Sequence, residues 1–313
     1  KPKGKPSPII DSSKKPKGNP SPAPVEVPKG AVPKGKTPFK VNAVNNYPTP
    51  PINDKPFLAE VFKDTKNAYT NGYRLNGKTI AINNQPIVQG TKLYDNLGML
   101  PPVDVPFKTK FSVVKDDTLN VLLQMKAQGE NPVGINMANA HTRGGGVDHG
   151  SRAQEEAISR RSNYMKIRDI PKIDTVKLNT EVIYSPHVTV FREDDAKGFA
   201  FMEKPVDVAL TAVAAYNLGN EKTRTALGIP DGAIDPNQLL KNEAYTTGTK
   251  DRIRNMLRAM SLNGHTSLVL GALGCGAFLN PPMAVGQLFY EVLTEEEMKG
   301  RFEKVVFAIL EKR

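Results

Sequence analysis

PVGINMANAHTRGGGVDHGSRAQEEAISRR, residues 132–161, is the stretch whose reading decides the fold. Its first seven residues form a short apolar run, as a strand buried on both faces should. Three consecutive glycines follow (Gly144, Gly145 and Gly146), then seven residues, then Gln154, Glu155 and Glu156. Glycines placed after a buried strand let the backbone approach a ligand closely and turn its N–H groups toward an anion. A helix starting near Ala153 brings the positive end of its dipole to the same place. Taken alone, three glycines also suit a flexible turn, and two acidic residues suit the solvated first turn of a helix.

A second stretch further along repeats the arrangement. TSLVLGA, residues 266–272, reads as a buried strand, and it runs into the glycine-rich loop Gly271-Ala272-Leu273-Gly274-Cys275-Gly276-Ala277-Phe278, ahead of a helix over about 282–293. Such a loop is again suited to wrapping a diphosphate, and Phe278 could lie against a ribose or base or serve as an ordinary core aromatic. Between and around these loops, KTIAI, TKFSVV, EVIYSPHVTVF, DVALTAVAAY and KVVFAIL read as strands. Helices are expected over 57–71, where Asn71-Gly72 marks the stop, over about 118–127 behind a cap at Asp116 or Asp117, and over about 250–261. Strands alternating with helices indicate an α/β layered fold with a largely parallel or mixed sheet. Ligands of such sheets bind beyond the carboxyl ends of the strands, where both glycine loops fall.

These motifs resemble the bacterial-type poly(ADP-ribose) glycohydrolases of the macrodomain superfamily. The likeness rests on Gly144-Gly145-Gly146 with Gln154-Glu155-Glu156, on VIYSPHVTVFR at 182–192, on GALGCGAF at 271–278 and on the terminal VVFAIL. It runs from near Phe57 to the end, and Leu273 stands where the family commonly has Trp. The resemblance implies a macrodomain-like three-layer α/β/α sandwich with a mixed sheet over residues 56–313. It implies hydrolysis of the O-glycosidic bond of poly- or mono-ADP-ribose without a cofactor, with Glu156 as general acid and base and Glu155 beside it. Adjacent helical residues point about 100° apart, so the pair is not expected to flank one bond as in an ordinary glycosidase. Glu155 is then expected to hold a ribose hydroxyl, with Gln154 orienting the pair. Asn136 and Asn139, at the strand end, are candidates to hold the distal ribose, Asn136 the stronger. Gly144, Gly145 and Gly146, with Gly274, Cys275, Gly276, Ala277 and Phe278, are the expected substrate-binding loops. The implied partners are ADP-ribosylated protein or poly(ADP-ribose), with ADP-ribose as product and the chain acting as a monomer.

Other residues carry less. His141 and His149 flank the glycines but have no third ligand in register, so no metal site is expected. Cys275 has no neighbouring His or Lys to lower its pKa and reads as a small loop residue rather than a nucleophile. Arg192 suits a salt bridge or a phosphate contact. Residues 221–249, rich in Asn, Thr and Gly, are candidates for a rim that selects the substrate.

Composition separates the ends of the chain. Of its 26 prolines, 13 lie between Pro2 and Pro51, and residues 1–45 carry ten lysines against Asp11 and Glu26. That segment supplies eight of the net +11 charges, so the basic character is a property of the tail, which weakens a nucleic-acid reading of the rest. Its repeated Lys-Pro-Lys-Gly theme lacks the apolar side chains that offset ordering entropy, so residues 1–55 are expected to be a disordered linker. A polybasic arm seeking lipid or nucleic acid is the sharper alternative. The single cysteine excludes an intrachain disulfide and fits a reducing compartment such as a cytosol. No apolar run approaches the ~20 residues that span a bilayer. The chain begins at Lys1, so a fragment or a processed product is compatible with it. Two further functions stay open: a reader that binds ADP-ribose without turnover, and an interaction protein working through its basic tail.

Overall fold

In the computed structural model, residues 54–173 and 175–310 are described, and all of them belong to one compact unit. The expected tail lies outside them except for its last two residues. Asp54 accepts from the Phe57 N–H and caps α1 (Lys55–Asn71), so helix replaces tail from Lys55 onward. Gly72, at φ +80, ends α1 as the Asn-Gly pair leads one to expect. The chain then forms β1 (Tyr73–Leu75) and β2 (Lys78–Ile80), a two-stranded antiparallel hairpin separate from the main sheet. Next come α2 (Gln85–Gly90), β3 (Lys92–Tyr94), β4 (Lys110–Val114), α3 (Thr118–Ala127), β5 (Pro132–Ala138), α4 (Gln154–Arg161), β6 (Val182–Arg192) and β7 (Phe201–Ala214). The chain closes with α5 (Glu221–Ala226), α6 (Pro236–Leu239), α7 (Glu243–Leu262), β8 (Ser267–Leu270), α8 (Pro282–Leu293) and β9 (Lys304–Ala308).

Seven strands make one mixed sheet in the order β3-β6-β7-β5-β8-β9-β4. The five from β7 to β4 run parallel, while β6 and β3 are antiparallel to their neighbours. Alternation along the strands sorts the core into two layers. Leu268, Leu270 and Val305 pack with Met256, Leu257, Leu288 and Phe289 of α7 and α8. Val269 and Val306 face the other way, onto Leu119, Leu122 and Ile158 of α3 and α4. The result is the expected sandwich of helices, mixed sheet and helices. Gly134 belongs to this packing: a Cβ there would sit 2.6 Å from Leu122 Cδ1, so α3 can lie directly on β5 only over a glycine.

Two expected elements differ in extent. Helix α7 starts at Glu243 rather than near Lys250. The Asn242 side chain accepts from the Tyr245 N–H to cap it, and Tyr245 is fully buried, so tertiary packing extends the helix backward. Gly248 sits in this first part without breaking it, since a Cβ there would meet Tyr216 Oη. Strand β7 begins at Phe201 rather than Asp207, pairing with β6 beyond its buried half through register shifts at Ser185/Val188 and Val190/Arg192.

Candidate active site

β5 and β8 are adjacent parallel strands, so the two glycine loops leave the same edge of the sheet side by side. They border a cleft of about 550 Å³, a volume suited to a small-molecule ligand. Asn139, Gly146, Gln154, Glu155 and Glu156 line it from the β5 side, and Gly274, Gly276, Ala277 and Phe278 from the β8 side.

The first loop folds back over the start of α4. Asn139 makes the initial turn, its Oδ1 accepting from the His141 and Thr142 N–H groups at 2.8 and 3.1 Å. Gly144 and Gly145 take φ +76 and +57, the left-handed region where a side chain is unfavourable. Proximity imposes the same choice of residue. A Cβ on Gly145 would lie 2.3 Å from Glu156 Oε1, and one on Gly144 would lie 2.5 Å from Met165 Sδ. The loop therefore rests directly on the two carboxylates.

Each carboxylate is held by backbone. Glu155 accepts from Asn139 N at 2.9 Å through one oxygen and from Gly144 N at 3.1 Å through the other. Burial first, and then the charge of Glu156, push its pKa from the ordinary 4.5 up to about 7, against the pull of those two N–H groups. Glu156, 6% exposed at the cleft wall, accepts from Gly146 N at 2.8 Å through Oε1. Among the described residues its buried Oε2 has no hydrogen-bond partner. Arg160, one turn along α4 and buried, adds a positive charge that interacts with Glu156, while its Nη1 donates to Ser151 O at 2.7 Å. Burial lowers the Arg160 pKa only to about 10, which leaves it cationic at neutral pH.

Gln154 works on the backbone. Its Oε1 accepts from Met137 N at 2.9 Å and its Nε2 donates to Ile135 O at 2.7 Å, strapping the start of α4 to the end of β5. Asn136 lies fully buried below the cleft. Its amide is near enough to Glu155 to favour the charged carboxylate, yet neither of its polar atoms meets hydrogen-bond geometry. Gly144 and Gly145 back the carboxylates rather than line the cleft. Cys275 turns away from it: half-buried against the α7–α8 core, its thiol is pushed up to about 11 by burial.

The remaining sequence candidates lie elsewhere. His141 and His149 are exposed, and among the described residues no three potential ligands gather into a metal site. Arg192 is a salt-bridge residue, fully buried, pairing with Asp64, donating to Phe199 O and stacking 3.7 Å over Phe201. Residues 221–249 include α5, α6 and the start of α7, and none of them lines the cleft. Ser151, Arg152 and Ala215 do line it and were not singled out from sequence. Arg152 pairs with Asp195 at 3.0 Å. Position was their only signal: Ser151 and Arg152 fall in the spacer between glycines and glutamates, and Ala215 follows β7, the neighbour of β5.

A family model described as the catalytic domain of microbial-type PARG matches residues 63–193. The poly(ADP-ribose) glycohydrolase of Thermomonospora curvata is 29% identical, with a TM-score of 0.66 over 81% of this chain and 93% of that one. The same enzyme bound to the inhibitor ADP-HPD gives 27% identity and 0.65 over 82% and 94%. The Deinococcus radiodurans enzyme in complex with ADP-ribose gives 27% and 0.56 over 72% and 90%. No curated protein matches the sequence. Together, the family match and the solved structures support a glycosyl hydrolase. Within that class they support the bacterial-type poly(ADP-ribose) glycohydrolases, the family that the glycine and glutamate motifs resembled.

Among the described residues no helix is long and apolar enough to cross a membrane.

Proposed function

We propose that this chain releases ADP-ribose from poly(ADP-ribose), and from singly modified protein, by hydrolysing the O-glycosidic bond at the distal ribose. Glu156 is the acid and base of that reaction. The observation that carries the reading is the split environment of its carboxylate. Oε1 is fixed by the Gly146 N–H, while Oε2 is buried at the cleft wall without a hydrogen-bond partner among the described residues.

Bond cleavage at an anomeric carbon passes through an oxocarbenium-like state, and the departing oxygen needs a proton. Protonated Glu156 donates it through Oε2. The resulting carboxylate then takes a proton from the water that attacks the ribose carbon, which restores the acid. Glu155, both of whose oxygens are engaged by backbone N–H groups, holds the loop and presents its charge or its proton to the ribose hydroxyls. The second glycine loop, whose Gly274, Gly276 and Ala277 line the cleft, supplies N–H groups for the diphosphate, and Phe278 at the cleft wall supplies an apolar surface for the sugar.

The test compares the full chain with Glu156→Gln in release of free ADP-ribose from poly- and mono-ADP-ribosylated protein. Loss of release by about a hundredfold or more, with ADP-ribose binding retained, supports the assignment. Equal release by the variant would remove Glu156 from the chemistry. Binding without release in both proteins would make the chain a reader of ADP-ribose.

A further inference from the structure

Asn280 follows the second glycine loop and is 3% exposed, outside the cleft surface. Its side-chain nitrogen donates to Tyr216 O at 2.7 Å, to Gly274 O at 3.1 Å and, at a longer 3.3 Å, to Phe278 O. Its backbone N–H also donates to Gly274 O, at 3.1 Å. Its side-chain oxygen accepts from the Tyr245 hydroxyl at 2.9 Å. One amide thus joins three segments: the chain just past β7, the loop at the cleft, and the first turn of α7.

Backbone bonds from Cys275 N to Ala272 O, from Leu279 N to Gly276 O and from Leu218 N to Phe278 O shape the loop, and among the described residues Asn280 supplies the side-chain bonds to its carbonyls at Gly274 and Phe278. Residues 274–277 are Gly, Cys, Gly and Ala, and Gly276 and Ala277 are exposed. At Gly274, φ is +72, and a Cβ would lie 2.6 Å from both Ala215 Cβ and Asn280 Nδ2. The backbone is therefore clamped between Ala215 and Asn280, while Gly274 and Phe278, whose carbonyls Asn280 holds, line the cleft. Tyr245 is itself fully buried, so its hydroxyl has no solvent to turn to if Asn280 is lost.

We propose that Asn280 is a positioning residue that presets the second glycine loop for the diphosphate of ADP-ribose, with Tyr245 anchoring it from α7. The inference rests on ADP-ribose being the ligand of the cleft. A loop already in its bound shape loses less conformational freedom on binding. Loosening it weakens substrate and transition state alike, which raises KM and leaves kcat nearly unchanged. A residue that served only the fold would lower the melting temperature and leave the affinity of the folded protein as it was.

The experiment measures ADP-ribose affinity by calorimetry, and KM and kcat on poly(ADP-ribose), for the full chain and two variants. Asn280→Asp keeps the shape but points an acceptor at the carbonyls of Tyr216 and Gly274. It is expected to bind ADP-ribose about tenfold more weakly, with KM raised to match and kcat within about twofold. Tyr245→Phe keeps the packing and removes only the hydroxyl that anchors Asn280, for an expected weakening of roughly threefold. Should Asn280→Asp fail to fold, Tyr245→Phe decides, and wild-type affinity there overturns the proposal. A folded Asn280→Asp with wild-type affinity, or a loss confined to kcat, overturns it as well. A wild-type chain that binds no ADP-ribose defeats the proposed function along with it; binding by wild type and variants alike defeats this inference alone.

Discussion

Glu155 and Glu156 are adjacent in sequence, yet the glycine loop holds them from opposite ends. Glu155 accepts from Asn139 and Gly144 with its two oxygens, whereas Glu156 accepts from Gly146 with one and keeps the other without a hydrogen-bond partner among the described residues. The loop thus sorts two chemically identical groups into a clamped carboxylate and an available one. Helix geometry sets this up, since neighbouring side chains diverge by about 100°. The glycines complete it by bringing N–H groups into a space that no side chain could share.

The clamped carboxylate should leave a signature in stability against pH. Its folded-state pKa, about 7, is above the ordinary 4.5, so the folded protein prefers Glu155 protonated. Its contribution is fully present below about pH 4.5 and is lost as pH rises toward 7. The loss amounts to about 3 kcal/mol. In Glu155→Gln that decline should vanish, although the whole curve falls by about 1–2 kcal/mol because one backbone N–H loses its acceptor. Urea unfolding at several pH values reads both effects, and an unchanged slope in the variant would mean that Glu155 does not titrate between those limits. His265 acts in the opposite sense. Burial depresses its pKa, with Tyr184 and the Asn131 carbonyl on its two nitrogens, so its contribution is present above the ordinary 6.5 and lost as pH falls. Subtracting variant from wild type separates the two.

Gly145→Ala addresses the loop itself. The left-handed backbone alone costs an alanine about 1–2 kcal/mol, which the fold should survive. The added methyl, however, would sit 2.3 Å from Glu156 Oε1 and must displace that carboxylate. Release of ADP-ribose should therefore fall by about tenfold or more in a protein that still unfolds cooperatively. Activity within about twofold of wild type would show that the loop does not set the position of Glu156.

Elements whose signals lie within their own residues are legible in the sequence alone. Helix α8 occupies Pro282–Leu293 as expected, and Asp117 caps α3 by accepting from Leu119 and Asn120. The placement of both loops on one edge also followed from strand–loop–helix order. Features that depend on a distant partner did not show. The early start of α7 is carried by Tyr245 packing in the core and by Gly248 making room for Tyr216. Asn280 has no local signature, since its partners Tyr216 and Tyr245 lie 64 and 35 residues away. The short elements β1, β3, α2, α5 and α6 have too few residues to display a period.

Gln154 shows where motif reading and physical role part. Sequence placed it among the groups that orient the glutamates or touch substrate, and it does line the cleft. Its amide is nevertheless spent on Met137 N and Ile135 O, with a longer contact to Thr118 Oγ1 at 3.2 Å. Gln154→Glu keeps the bond from Met137 N but sets a second acceptor against the Ile135 carbonyl. Unfolding free energy should drop by about 1–3 kcal/mol. Because the strap fixes α4 relative to β5, ADP-ribose release should fall as well, and part of it should return in Gln154→Met, which fills the space without the repulsion. A Gln154→Glu protein as stable as wild type but unable to bind ADP-ribose would instead make Gln154 a direct ligand contact.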